Sequence, residues 1–377
     1  MSQSVLTVGL SRNERIVIQS QAAKCSRNRA NRRLTHVDHS SSAKISAGNL
    51  RALVKDKHIR MRNRVIAEPY LDELNTMVLG DAFRESLPLS AALDHRFEAA
   101  LRHVLDNPGS LVRPRMVLQM AAAYGLDAQY ANSLAIALEY FHTASLIFDD
   151  LPCMDNAAER RGVSCVHIAF GEPGAILAAL ALINRAYALT WAALAGSPNE
   201  SRPQIMDYVE QRLGVGGLLN GQSLDLNYSA LPHNRATTER IAHGKTVSLI
   251  RLTLVLPALL ASARPREIQL LERISACWGL SYQIVDDLKD VLQSPDDTGK
   301  TVARDILLDR PNIAAAIGVS GAVERLIRLL RVGDLTLRRL LARRPELSFL
   351  SSLRSELQGE LTRVTENACE MTTSGRS

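Results

Sequence analysis

The stretch ANSLAIALEYFHTASLIF at positions 131–148, which runs straight into Asp149-Asp150-Leu151-Pro152-Cys153-Met154-Asp155, decides the fold. It is apolar almost all the way round a helical wheel, the mark of a helix enclosed by other elements. Ile274 to Val285 has the same character and runs into Asp286-Asp287-Leu288-Lys289-Asp290. Two such helices are central members of a bundle. Outward from them, from about Arg64, apolar residues recur at helical spacing, Ala and Leu dominate, and the alternation of strands hardly appears. Breaks at Asn107-Pro108-Gly109, Leu151-Pro152, Gly196-Ser197-Pro198, Leu231-Pro232-His233, Ser294-Pro295-Asp296-Asp297 and Arg310-Pro311 cut the body into helices. The fold class is therefore all-α. One helical domain spans 64–370, residues 1–63 form a basic, disordered extension, and 371–377 are a disordered tail.

The formal charge of +6 hints at nucleic acid, but residues 1–62 carry 13 Lys/Arg against 3 Asp/Glu, a net of +10 that leaves −4 for the rest. A mildly acidic body implies no nucleic-acid face. Cys25, Cys153, Cys165, Cys277 and Cys369 show no metal or disulfide spacing, which fits a reducing compartment. The extension is rich in Arg and Ser and poor in acids, as organelle transit peptides and plain disordered tails both are. It lacks a secretory h-region, so the cytoplasm is the expected location, with organelle targeting by the extension as the alternative. No transmembrane segment is expected. The most apolar segment, Gly174 to Gly196, is interrupted by Asn184-Arg185 and reads as a buried helix.

Carboxylates at a helix C-terminus face the negative end of its dipole and repel one another, so their placement costs stability unless a cation resides there. Oxygen ligands without His or Cys select Mg²⁺, with Mn²⁺ as a substitute, and Mg²⁺ takes one or two carboxylates plus substrate phosphates. Two clusters suggest a diphosphate bridged by several ions. Asp286 and Asp290, four apart, share a helical face. Pro152 cannot continue a helix, so Asp155 must swing back through a short turn to join Asp149. Arg160-Arg161, Lys245-Thr246 and Lys300 add the cations that clamp a departing phosphate group. A single acidic run would be read as a solvated helix end; two runs, each closing an apolar helix, favour a metal site.

These residues resemble the trans-isoprenyl diphosphate synthases, or polyprenyl synthetases. Asp149-Asp150-Leu-Pro-Cys-Met-Asp155 with Arg160-Arg161-Gly162 is similar to the family's first aspartate-rich motif, and Tyr282-Gln283-Ile-Val-Asp286-Asp287-Leu-Lys-Asp290 to the second. Gly221-Gln222-Ser-Leu-Asp225-Leu, Gly244-Lys245-Thr246 and Asp297-Thr298-Gly299-Lys300-Thr301 match further signatures in order. The resemblance implies an isoprenoid-synthase-type helical bundle, usually a homodimer, around a central cavity. By that likeness Asp149, Asp150, Asp155, Asp286, Asp287 and Asp290 hold Mg²⁺ directly or through water. Arg160, Lys245, Thr246, Gln283 and Lys300 contact the allylic diphosphate, and Arg113, His142 and Arg161 bind isopentenyl diphosphate. Ionisation of the allylic substrate, attack by isopentenyl diphosphate and proton elimination then lengthen the chain, with Asp149, Asp150, Lys245, Asp286 and Asp287 as the catalytic set.

The family's early Gly-Lys-Arg-x-Arg-Pro motif appears here as Gly109-Ser110-Leu111-Val112-Arg113-Pro114, without its Lys and first Arg. Asn156-Ala157-Ala158-Glu159 replaces a more acidic run and Val163 a usual cation. A catalytically weak regulatory subunit, a terpene cyclase and a non-enzymatic scaffold are the alternatives to an active synthase. A cyclase would carry an Asn/Ser/Glu metal motif in place of the second aspartate cluster. The small Ala144 and Ser145 lie about 6–7.5 Å below Asp149 along the helix, and Tyr140 and Phe141, about 12–13.5 Å down, are candidates for a floor. The resemblance ties a small residue at Ala144 to a C20 product, geranylgeranyl diphosphate, with farnesyl diphosphate as the alternative. Ala144→Tyr is the change expected to shorten the product.

Overall fold

The computed structural model describes residues 68–292, 310–355 and 359, and within them the chain is an all-α bundle. The expectations for residues 1–63 and 371–377, and for Lys300, fall outside the described residues. The helices are α1 (Glu68–Glu85), α2 (His95–Leu105), α3 (Val112–Tyr124), α4 (Ala128–Asp149), α5 (Val166–Leu194), α6 (Arg202–Leu213), α7 (Leu218–Leu226), α8 (Arg235–Ala242), α9 (Ser248–Leu260), α10 (Pro265–Leu292) and α11 (Ile313–Leu341). A π-helical turn, His243–Val247, joins α8 to α9. Two-residue strands β1 (Glu159–Arg160) and β2 (Val163–Ser164) form a small hairpin.

Local chemistry sets several of these boundaries. Asp94 accepts from the amides of Arg96 and Phe97 at the start of α2, and Asn234 and Asn312 cap α8 and α11 through the amides of Thr237 and Ala315. Gly125 ends α3 in the left-handed conformation, which costs a residue without Cβ nothing. Helix α5 is kinked at Gly171 (φ 80°), two residues before Pro173, whose missing amide cannot join the ladder.

The core lies in two parts. Phe83, Leu134, Leu138, Tyr140 and Leu182 anchor one, where α4 packs on α3 and α5, and Leu254, Leu271, Ile274 and Leu326 anchor the other, where α10 packs on α9 and α11. Both central helices were legible from their all-round apolar character, and both deliver their carboxylates at the C-terminal end. The expectation of a buried helix over Gly174–Gly196 needs correction. Only 33% of the most apolar window of α5 is buried, and Ile176, Leu177, Leu180, Tyr187 and Trp191 lie exposed. One side of α5 packs on α4, and nothing among the described residues covers the other. By length and composition alone, α5 and the run Arg235–Leu260 are apolar enough to cross a bilayer.

Candidate active site

The first acidic cluster forms where α4 runs out. Pro152 stops the helix, and the chain turns back so that the Asp155 amide donates to the Asp149 carbonyl at 2.9 Å, the return that the proline required. Asp150, buried, is clasped by the Arg160 guanidinium from β1. Arg161 and Gly162, both at positive φ, make the tight turn of the hairpin that presents the two arginines.

Opposite this turn, two glycines allow a close backbone approach. A Cβ on Gly221 would lie 2.5 Å from the Lys245 amide nitrogen, and one on Gly244 would lie 2.7 Å from Gly221 Cα. The contact docks α7 on the π turn and brings Lys245 Nζ within 3.1 Å of Asp225, one helical turn beyond Gly221. Burial depresses the Lys245 pKa, but Asp149, Asp225 and Asp155 outweigh it and the net shift is upward. Asp149 is pushed up to about 6, by burial first and then by Asp155 and Asp225, against Lys245 and Arg160. A carboxylate this reluctant to ionise among other acids is a place for added positive charge.

The second cluster divides by role. Asp287 faces inward, accepting from Gln283 Nε2 at 2.8 Å and from the Ile313 amide at 2.7 Å, while its carbonyl accepts from Asn312. Asp286 is exposed and Asp290 half-buried, with Asp290 Oδ2 lacking a hydrogen-bond partner among the described residues. Thr246 donates to Gln283 at 2.7 Å, which ties this cluster to the Lys245 turn.

A strap from 310 to 313 completes the connection. Arg310 reaches the first cluster, donating to Asp155 at 2.8 Å and to the Met154 carbonyl at 3.0 Å, and lies 3.4 Å from Asp225. Asn312 and Ile313, two and three residues later, hold Asp287 of the second. Sequence reasoning named Asp225 only as part of a signature and passed over Arg310. Its one visible signal was the Arg-Pro break at 310–311, because a side chain 155 residues from Asp155 shows no partner in sequence.

A separate cluster gathers Arg113 and Arg161 around His142 and Glu139. His142 is driven down to about 2 by burial and by Arg113, Arg161 and Arg160, so its ring is neutral at physiological pH. Buried Glu139 is raised to about 7 by desolvation, against the pull of Arg113 and Arg161. Arg161 itself donates to the Asn107 carbonyl at 3.0 Å and lies 3.7 Å from Glu139. It also packs on Gly109, where a Cβ would meet the guanidinium at 2.5 Å.

Leu111, by contrast, is a core residue, 2% exposed, at positive φ. Filling the family's missing cations in the pair Ser110→Lys with Leu111→Arg therefore cannot add two substrate contacts. Leu111→Arg would bury a charge and is expected to cost several kcal/mol. Exposed Ser110→Lys alone is expected to leave the melting temperature unchanged and lower the Michaelis constant for isopentenyl diphosphate. Thermal melts and steady-state kinetics on the two single variants separate these effects.

Among the described residues no three acidic, His or Cys side chains converge tightly enough to hold a metal unaided. Pairs of hard oxygens beside buried cations fit Mg²⁺, which keeps several waters and takes the remaining oxygens from phosphate.

A polyprenyl synthetase family model matches residues 94–330. The chain belongs to the polyprenyl synthetase family. It is 35% identical over 254 residues to the mitochondrial geranylgeranyl pyrophosphate synthase 10 of Arabidopsis thaliana, covering 66% of this chain and 73% of that one. It is 33% identical to the chloroplastic geranylgeranyl pyrophosphate synthase 9 of the same plant, covering 66% and 70%. The fold matches a geranyltransferase from Legionella pneumophila with a TM-score of 0.64 at 24% identity, over 77% and 96% of the two chains. A synthase from Zymomonas mobilis, described as forming FPP/GFPP, matches with 0.61 at 25% identity over 76% and 96%. The prenyl synthetase family member is thus an enzyme, a prenyltransferase on isoprenyl diphosphates.

Proposed function

We propose that the enzyme joins isopentenyl diphosphate to allylic diphosphates, from dimethylallyl through geranyl to farnesyl, and releases geranylgeranyl diphosphate. The observation that carries this is the acidic wall of Asp149, Asp155 and Asp225, laced with Lys245 and Arg310 and strapped to the second cluster. The relatives' printed names support the C20 product.

Asp149, Asp155, Asp286 and Asp290 are proposed to hold Mg²⁺, with Mn²⁺ as a substitute. Asp150 and Asp287, which hold Arg160 and Gln283, are proposed to reach the same ions through water. Bound magnesium supplies positive charge to the departing diphosphate. Lys245, Arg160 and Arg310 orient that group and hold its charge as the allylic carbon–oxygen bond breaks. Thr246 and Gln283 fix the π turn that aims Lys245. Arg113, Arg161 and neutral His142 bind the diphosphate of isopentenyl diphosphate, whose double bond attacks the allylic cation. The proton lost from the adduct leaves with the released diphosphate, so no protein nucleophile is needed. The apolar wall of α4 keeps water from the cation.

The exposed apolar side of α5 supports a homodimer in which a second copy covers it. Cytoplasmic residence is proposed from cysteines without disulfide or metal spacing, which fit a reducing compartment. Residues 1–63 offer the organelle-targeting alternative, since the two plant relatives above are called mitochondrial and chloroplastic.

Incubation with isopentenyl diphosphate, each allylic starter and Mg²⁺, read by mass spectrometry, is expected to give a C20 diphosphate that chelation abolishes. A C15 end product would make it a farnesyl diphosphate synthase. The absent cations at Ser110 and Leu111 favour one further reading, a weak regulatory subunit, which no turnover by the purified protein would select.

A further inference from the structure

The second half of α11 and the segment after it form the most arginine-rich part of the described chain. Residues 323–355 hold eight Arg and no Lys against three Asp/Glu. Among the described residues Arg325 pairs with Glu239, Arg344 with Glu267 and Arg354 with Asp334. The pairing consumes Asp334, one of the three local acids, and leaves Glu324 and Glu346 exposed towards the ends of the stretch.

Arg328, Arg338, Arg339 and Arg343 are exposed and make no ion pair with any described residue. Spacings of seven and four from Arg328 through Leu335 to Arg339 keep them along one side of the helix, with Arg338 beside them, and Arg343 follows in the turn just after α11. The helical part of that side is about 16 Å long at 1.5 Å per residue. Helix α10 packs alongside and continues the face. Arg266 shares with Arg339 and Arg343 a surface groove of about 590 Å³, floored by Leu270 and Ala342, and exposed Arg273 follows one heptad on. Leu335, 52% exposed, stands in the middle of the arginines.

This face does not serve the catalytic diphosphate. It gathers at the start of α10, whereas Asp286 and Asp290 lie at its far end, about 30 Å away at helical rise. Like charges held together on an otherwise acidic body raise the energy of the free protein and are relieved by a polyanion. We infer that the α10–α11 arginine face is a docking surface for an anionic phospholipid bilayer. Guanidinium forks pair with lipid phosphates in two-point contacts, and Leu335 supplies the apolar contact that enters the headgroup layer. A nucleic-acid strand fits less well, because none of these face residues is an aromatic on which bases would stack. The inference does not depend on which prenyl diphosphate the enzyme releases.

The test is co-sedimentation of the full chain with vesicles of phosphatidylcholine alone or mixed with phosphatidylglycerol. Wild type should partition onto the mixed vesicles and not the neutral ones. Arg338→Glu, Arg339→Glu and Arg343→Glu combined should weaken that partitioning at least about tenfold, since each surface cation counts for roughly fivefold. Turnover in vesicle-free buffer should be unchanged, which shows that the variant is folded. If turnover is lost, the milder pair Arg338→Gln with Arg343→Gln is read in its place, with a loss of about tenfold or more expected. Equal partitioning of variant and wild type would assign the binding to the basic residues 1–62 and overturn the proposal. So would equal binding to neutral vesicles, or capture of an RNA oligonucleotide by wild type with no vesicle binding.

Discussion

Asp286→Ala and Asp149→Ala are each expected to lower turnover by about 10²–10³-fold, the scale seen when one preorganised charge-stabilising group is removed from an active site. Asp149 sits at the C-terminal end of α4, where the helix dipole and neighbouring acids oppose ionisation, and Asp286 lies exposed in the second acidic cluster of α10. Asp149 already shows this conflict, raised to about 6 by burial and by Asp155 and Asp225. Removing the Asp149 carboxylate relieves the metal-free protein and weakens the metal-loaded one, so Asp149→Ala should melt at or slightly above the wild-type temperature without metal. Both variants should need more Mg²⁺ for half-maximal rate.

Asp287→Ala gives the contrast. Both of its carboxylate oxygens are engaged, by Gln283 and by the Ile313 amide, and the residue is 1% exposed. Its loss strips the start of α11 of a buried acceptor and is expected to cost about 3–5 kcal/mol of stability, together with activity. Turnover and melting curves with and without Mg²⁺ distinguish the two classes. Near-normal rates in Asp286→Ala at limiting magnesium would remove Asp286 from the metal site.

The second large effect concerns product length. Ser145→Phe is expected to move the main product from C20 to C15 while leaving ionisation of the starter largely intact. Ser145 is half-buried, its hydroxyl donates to the His142 carbonyl, and it lies on the same helical face as His142 and Asp149. Ala144 is 0% exposed within the packed core, pointing well away from that face. Ala144→Tyr must then displace core atoms, a change that typically costs about 1–3 kcal/mol, so any shortening it produces comes with lower stability. Deeper along α4, Tyr140 is locked by its hydroxyl on the Phe83 carbonyl at 2.5 Å and by an edge-on ring contact with Phe83, and Phe141 rests edge-on against Tyr187. Phe141, four residues before Ser145 and on its face, is the proposed floor, whereas Tyr140 shares the core-facing side of Ala144. Mass spectrometry of the products, with melting temperatures for both variants, tests this. An unchanged C20 product from a folded, active Ser145→Phe enzyme would exclude a tail path past residue 145.

Much of the site was legible because its determinants are local. An apolar helix closing in carboxylates, a proline that forces a return, and Asp pairs four apart are patterns within a few residues. The downward pKa shift of His142 was not legible, since it comes from burial and from Arg113 on α3 and Arg161 and Arg160 on the hairpin, brought together only by folding. Arg310 was missed for the same reason, and the two missing cations of the Gly109–Pro114 motif looked like simple losses until Leu111 proved to be core.

The sequence by itself determined that the chain is a helical bundle with two acidic helix ends and a cationic complement, because helix periodicity and metal-ligand chemistry depend on residue type and short spacing. Tertiary structure alone decided which aspartates are buried and bonded within the fold and which stay open, that Arg161 lies on Gly109, and that one side of α5 and an arginine face of α11 are left uncovered. Those outcomes depend on burial and on charges separated by up to 155 residues along the chain, and desolvation and Coulomb energies are set by distance in space.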